Sequence, residues 1–282
     1  MPPFSLTQTL LASDPRAHQS ATQSPFLALA SQGRLPKSLL GQWLANDRLY
    51  IHAYIRGIGR LLSFLRLPDV VHPPLLRDDK AEREASVEEK LLHWMIDALV
   101  NIRREEDMFV RTAAKYGVDV NLAAGPDGRI AASTKLEGLR RFEALFDGIS
   151  PPPPRDQGGV VLLPWLEAAV IFWATEKCYL DAWSGAAARQ LSDDAAGDDN
   201  DADGGALRRE LIPNWSSDEF ARFVDALGEI VDAGVRREME LKKGEGEEEE
   251  VVKARLVERA LGKWREVLAA EEAFWPAVEG SD

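Results

Sequence analysis

The chain has 282 residues, 45% of them hydrophobic, and a formal charge of −13, which is ample apolar content for a large core at the upper end of single-domain length. The charge is local, with six Asp between Asp193 and Asp203 and five Glu between Glu245 and Glu250, so the remainder is close to balance and no basic patch recommends nucleic acid as a partner. A single cysteine, Cys178, excludes an intrachain disulfide and a cysteine-cluster metal site. No window approaches the roughly 18 uncharged apolar residues of a membrane span. The N-terminus lacks the basic and apolar regions of a signal peptide, and the expectation is a soluble, cytoplasmic protein.

In chain order, Ser5 to Ala12 reads as a short helix followed by a Ser/Thr/Gln loop, and Pro25 to Gln32 as a second short helix closed by Gly33. After Pro36, apolar residues recur at helical spacing (Leu39, Leu40, Trp43, Leu44, Ile51, Tyr54, Ile55, Ile58, Leu62, Leu65). This predicts a long helix to about Leu67, ended by Pro68. Residues 71–85 read as a loop. A second long helix is predicted from about Ser86 to Tyr116, with Gly117 as its left-handed C-terminal residue. Ser133 is placed to cap a helix from Thr134 to Phe146, with Glu137 in a partial capping box. The run PPPPRDQGG, 151–159, reads as a linker, and Leu163 to Ala188 as a helix with Pro164 in its first turn. LSDDAAGDDNDADGG, 191–205, has a low-complexity, disorder-prone composition. Trp215, Ser216 and Ser217 open a helix from Asp218 to Leu241 with Phe220 and Phe223 inward. GEGEEEE reads as a solvated loop before a last helix from Val251 to Val278. No alternating Val/Ile/Thr run flanked by hairpin turns occurs. The pattern predicts one all-α domain over 1–282, a bundle of about seven main helices, with flexible insertions at 150–159, 191–206 and 243–250.

Three of these helices place an acid inside an aromatic stripe. Asp47 lies between Trp43 and Tyr54, with Tyr50 three residues on and leaving the same face. Glu176 falls among Leu166, Val170, Trp173, Leu180 and Trp183, beside Tyr179; Glu271 falls among Trp264, Val267, Leu268, Phe274 and Trp275. One acid at the edge of a stripe is usually solvated or paired. Three on stripes that face a shared interior predict one enclosed cavity, because buried carboxylates need partners or water. Their mutual repulsion should raise at least one pKa and suit acid–base work. Cys178 lies about 200° round the helix from Glu176 and reads as an inert buried thiol. His18, His52, His72 and His93 show neither H-x-x-E-H nor H-E-x-x-H spacing, and His93 with Asp97 fits a surface pair better than a metal site.

The chain resembles the TenA family, thiaminase II and related aminopyrimidine hydrolases. The resemblance rests on Pro25-Phe26-Leu27, Gly33-Arg34-Leu35-Pro36, Asp47-Arg48-Leu49-Tyr50 and the C-terminal Glu271-Glu272-Ala273-Phe274-Trp275. The segment Trp173 to Trp183 is similar to the branch lacking the cysteine nucleophile. Trp215 to Phe220 resembles that branch's Trp-x-x-x-x-Phe opening, and Glu105 to Phe109 its acidic-aromatic segment. Ser24 and Asn46 stand where the family usually has His and Gln. The resemblance implies a haem-oxygenase-like bundle with a central pocket and C–N bond hydrolysis on an aminopyrimidine of thiamin salvage. Haem oxygenases themselves need an axial His near the N-terminus; His18 is the candidate, and nothing around it resembles their motif. By the TenA resemblance Glu271 protonates the departing amine, and Glu176 assists it or activates water. Asp47 reads the ring nitrogen and exocyclic amine, Tyr50 orients Asp47, and Tyr54, Trp173, Tyr179 and Phe274 contact the ring. No metal or organic cofactor is implied, the partner is a small molecule, and a homo-oligomer is compatible. The alternative is a non-enzymatic bundle of the same fold that binds a small aromatic ligand or a protein.

Overall fold

The computed structural model describes residues 3–70, 85–152, 161–190 and 200–278. Two N-terminal helices, α1 (Leu6–Ser13) and α2 (Pro15–Thr22), lead into α3 (Pro25–Ser31). Ser5 and Ser24 cap α1 and α3 by accepting the Gln8 and Leu27 amides, so two orphan donors are met by the short side chains that sequence places there. The segment of α2 reads as a loop because its residues are polar. It is helical because Pro15 starts it and His18 stacks on Trp264 with ring centroids 5.7 Å apart.

The body consists of long helices. They are α4 (Lys37–Phe64), α5 (Val87–Tyr116), α7 (Leu166–Gln190), α9 (Asp218–Gly244) and α10 (Glu249–Glu272), with the shorter α6 (Glu137–Asp147) and α8 (Ile212–Trp215) between them. Ser86 and Glu89 form a full capping box on α5, and Gly117 closes it in the left-handed region at φ 65°. Helix α9 starts as expected, with Ser217 accepting the Phe220 amide. Ser133 does not cap α6; it lies in a 3₁₀ turn, Ala132–Thr134. The start of α6 is held instead from α4, where Asn46 accepts the Leu136 amide at 2.9 Å. Gly138 lets α6 meet the end of α10, since a Cβ there would lie 2.4 Å from the Phe274 nitrogen.

Helix α7 is the centre of the bundle. Residues 168–175 are buried without interruption, so it has no single inward stripe; a helix apolar all round is a core helix. It packs against α2, α3, α8, α9 and α10, while α4 packs on α5 and α6. Among the described residues the only β-pairing is an isolated bridge, Ala124 to Ile130, and no helix is long and apolar enough to cross a membrane. The all-α expectation therefore holds.

Two expected insertions differ from expectation where they are described. Residues 200–206 form a packed turn: Asp203 is 1% exposed and accepts the Gly205 and Leu207 amides, both at 2.8 Å. The turn is pinned to the α3–α4 connection by Ala202 donating to the Gly33 carbonyl and to its own following helical turn by the Asp201–Arg208 ion pair at 2.6 Å. Composition hides this, because the Asp residues are read as charges rather than as hydrogen-bond acceptors for local amides. Half of the 243–250 segment is helical, 245–248 forming the connection between α9 and α10, and Arg255 pairs with Glu247 at 2.8 Å. The 151–159 linker mostly, the 71–85 loop all but its last residue, and the 191–199 part of the acidic run lie outside the described residues.

Candidate active site

The site grows out of α4. Between the buried Trp43 and Tyr54, this helix carries Asp47 into the interior at 3% exposure. Tyr179 of α7 donates to the Asp47 carboxylate at 3.2 Å. Two turns further along α4, Tyr54 donates to Glu176 of α7 at 2.6 Å. On the third side, Trp215 at the end of α8 donates from its indole to Glu105 of α5 at 2.5 Å. A π-helical turn, Leu207–Leu211, precedes α8 and sets the register that delivers Trp215. Glu271 closes the group from the last turn of α10, 2% exposed, its carboxyl with no hydrogen-bond or ion-pair partner among the described residues.

Four carboxyls thus share one interior, and no cation meets any of them among the described residues. Burial dominates their electrostatics. It raises Asp47 well above the usual carboxylate range; Glu105, Glu271 and Glu176 add repulsion, and only the Tyr179 hydrogen bond opposes. Burial pushes Glu105 up to about 7 against the Trp215 hydrogen bond. Glu176 reaches about 8 through burial, opposed by Tyr54 and assisted by Glu105. Glu271 is raised well above its ordinary value by burial and by Glu176. Tyr50, Tyr54 and Tyr179 are likewise raised well above 10, by burial first and neighbouring acids second, so they stay neutral donors. Near pH 7 the group therefore holds protonated and ionisable carboxyls side by side, the condition for donating and accepting protons in one place.

An open cavity of about 320 Å³ reaches this centre from the α5–α9 side, lined by Glu105, Glu176, Trp215, Phe220 and Phe223 among others. Phe220 and Phe223 are half-buried and line it, Phe223 also packing on the core by stacking on Trp94 with ring centroids 4.7 Å apart. Asp47 and Glu271 are not among the residues lining this cavity, so of the three acids expected to bound one enclosed space it is Glu176 that stands on its wall. The carboxyls lie within electrostatic reach of one another, Glu105, Glu271 and Glu176 all acting on Asp47, and Glu105 and Glu176 line the cavity.

Other expectations are redistributed. No hydrogen bond joins Tyr50 to Asp47; Tyr179 does that work. The Tyr50 ring packs edge-on against Phe142 at 5.1 Å and also meets Tyr54, Phe146 and Phe274, because spacing of three on a helix brings side chains together only when neither is drawn off by a neighbour. Phe274 is buried in that phenylalanine cluster. Trp173 leaves α7 on another side, against Trp264 at 5.7 Å and Gly228, and is not among the residues lining the cavity. Tyr179 sits in a second aromatic group with Trp43, Trp183 and Trp215.

Glu105 is the site residue that the stripe reading missed. Its signal was present, an acid between Ile102 and Phe109 on the inward face of α5, but the run Arg103-Arg104-Glu105-Glu106-Asp107 reads as a solvated surface. Glu106, one step round, is also buried at 8% exposure but is met by basic groups, pairing with Arg103, with His52 at 3.0 Å and with Arg48 at 3.6 Å. Glu167 pairs with Arg259 at 2.6 Å. Cys178 is 1% exposed, and burial, then Glu271 and Asp181, push its thiol well up; it is no thiolate nucleophile.

No protein-family model matches the chain. A Fusarium pseudograminearum protein described as a probable transcription factor is 25% identical over 287 residues, covering 94% of this chain and 52% of that protein. The chain thus spans about half the length of that curated relative. Three solved structures share the architecture. A TenA homologue from Pyrococcus furiosus has 19% identity and a TM-score of 0.60 over 96% of this chain and 98% of its own. A TenA homologue from P. horikoshii has 12% identity and a TM-score of 0.56 over 96% and 99%. A TenA family transcription regulator from Silicibacter sp. TM1040 has 12% identity and a TM-score of 0.57 over 98% and 99%. The chain has the all-α fold of the TenA homologues.

Proposed function

We propose that the chain belongs to the TenA/thiaminase II family and hydrolyses the C–N bond between a methylene group and an amine on an aminopyrimidine. The observation that carries this reading is the group of four carboxyls without a cation, two of which, Glu105 and Glu176, line the cavity with pKa values of about 7 and about 8. Water replaces the amine, so the reaction needs a proton for the departing nitrogen and a base for the entering water. A raised carboxyl supplies the first and an ionisable neighbour the second. Glu271 protonates the leaving amine, and Glu176, oriented by Tyr54, assists it or activates water. Asp47, oriented by Tyr179, accepts from the exocyclic amine and, when protonated, donates to the ring nitrogen.

The test is incubation of purified protein with thiamin, the aminomethyl-pyrimidine and its formylamino derivative, followed for release of hydroxymethyl-pyrimidine. Release is expected. Glu271→Gln should lower kcat by about 10²-fold or more, the scale of a lost acid–base group, with ligand binding retained. No release with any of the three substrates refutes the hydrolase.

A second reading is a bundle that binds a small aromatic ligand without turning it over. It is favoured by the lining of the cavity, which includes Glu105 and Glu176 but neither Asp47 nor Glu271. The relatives described as a transcription factor and a transcription regulator carry the same suggestion of a binding role. Pyrimidine binding without product separates this reading from the first.

A further inference from the structure

Hydrolysis needs a base where water can reach the reacting carbon, and of the four carboxyls Glu105 and Glu176 are the two that line the open cavity. They come from different helices, α5 and α7, and the charge of Glu105 acts on Glu176. Each accepts one hydrogen bond on one oxygen, and its second oxygen has no partner among the described residues. The two donors differ in kind. Tyr54 offers Glu176 a hydroxyl, which can donate or accept and so follows that carboxyl through both protonation states. Trp215 offers Glu105 an indole N–H, which can only donate and bonds most strongly to the ionised form. The neighbouring Glu106 is taken up by Arg103, Arg48 and His52, while no cation pairs with Glu105 among the described residues.

We infer that Glu105, held by Trp215, is the general base that takes the proton of the attacking water, and that Glu176 stays on the acid side with Glu271. The inference rests on the hydrolase reading and fixes which wall carboxyl activates water. In this step the C–N electron pair leaves with the nitrogen, which takes a proton from Glu271 with Glu176 assisting. A lone pair of the water oxygen forms the new C–O bond, and the water proton passes to Glu105. Exchange with solvent through the cavity mouth then returns the carboxyls to their starting states. The electrostatics agree with this division. Burial pushes Glu105 up to about 7, so it is half ionised at pH 7, whereas Glu176 at about 8 is mostly protonated there. Asp47 and Tyr54 of α4 and Tyr179 of α7 also feel Glu105, and burial holds all three toward their protonated forms. Glu219 of α9 and Arg104 and Arg111 of α5 complete the charged groups lining the cavity. Of the two wall carboxyls Glu105 ionises first, as a base working near neutral pH requires.

The experiment follows release of hydroxymethyl-pyrimidine from the aminomethyl-pyrimidine as a function of pH, from about 5.5 to about 8.5, with circular dichroism confirming that each variant folds. Wild-type kcat/KM should climb along a limb centred near pH 7. Glu105→Gln still offers the indole an acceptor but has no basic oxygen. Its kcat should fall by about 100-fold or more with KM within about threefold of wild type, and the limb should vanish. Glu105→Ala opens room for a small carboxylate, and added formate should raise its kcat by about tenfold or more. Trp215→Phe removes the donor that favours the ionised form and should move the limb to higher pH. A limb that survives in Glu105→Gln and is lost in Glu176→Gln overturns the inference and makes Glu176 the base. An alanine variant that formate leaves as slow as before, or a limb unmoved by Trp215→Phe, also overturns it, while wild-type release keeps the hydrolase reading. A wild type that releases nothing at any pH overturns both.

Discussion

Two sets of buried acids in this molecule do opposite work. Asp203 and Asp232 are structural: Asp203 accepts two backbone amides of its own turn, and Asp232 accepts the Thr7 amide at 2.9 Å and its hydroxyl at 3.1 Å, tying α9 to α1. Both carboxylate oxygens are used in each. In the central set, Asp47, Glu105 and Glu176 each have one neutral donor from a tyrosine or an indole, and Glu271 has none among the described residues. A buried charge so poorly met costs free energy, and the group answers by holding protons instead. The contrast separates acids that fold the chain from acids held ready for a ligand; burial alone does not, because all of these except Glu105 and Glu176 are less than a tenth exposed.

The largest effect should come from breaking the structural set. Asp203→Ala removes two amide partners in a buried turn and should cost about 2 kcal/mol of stability, read from denaturant midpoints at pH 7. Glu176→Gln and Glu105→Gln should instead leave stability unchanged or raise it by about 1 kcal/mol at pH 8, where the wild-type groups are forced to ionise. A loss comparable to that of Asp203→Ala in the glutamine variants would show that the central acids are structural too.

A smaller effect sharpens the same contrast through pH. Glu105 and Glu176 have folded-state pKa values raised from the ordinary 4.5 to about 7 and about 8. Between pH 4.5 and 8 the folded state therefore binds more protons than the unfolded chain, and stability falls as pH rises through that window. Thermal melts from pH 5 to 8.5 should show a declining Tm in wild type and a flatter profile in the Glu105→Gln/Glu176→Gln double variant. A wild-type Tm that climbs across this range runs against the account.

The fold was legible wherever local chemistry and periodicity agreed. Ser86, Gly117 and Ser217 announce helix ends by their side-chain or backbone chemistry, and the Trp43-to-Leu62 stripe announces α4. Helix α2 was hidden because its polar sequence becomes helical through docking on α10, and the 200–206 turn because its aspartates fold inward onto amides. Within the site, Asp47, Glu176 and Glu271 could be picked out as acids among aromatics. Glu105 could not be told from Glu106, since the two differ only by one helical step. Tyr179 replaces Tyr50 as the partner of Asp47 for a reason that lies between helices: the phenylalanines of α6 and the chain end claim the Tyr50 ring. Trp173 misled because α7 is buried on every side, so an inward residue there has several interiors to choose from.

The central claim is that the acids at the cavity wall hold protons near neutral pH. Carboxyl-carbon NMR of glutamate-labelled protein, titrated from pH 4 to 9 and assigned with the Glu105→Gln and Glu176→Gln variants, measures this directly. The account predicts two glutamate resonances titrating near pH 7 and pH 8, each lost in its own variant. Glutamates that all titrate close to 4.5 would contradict it.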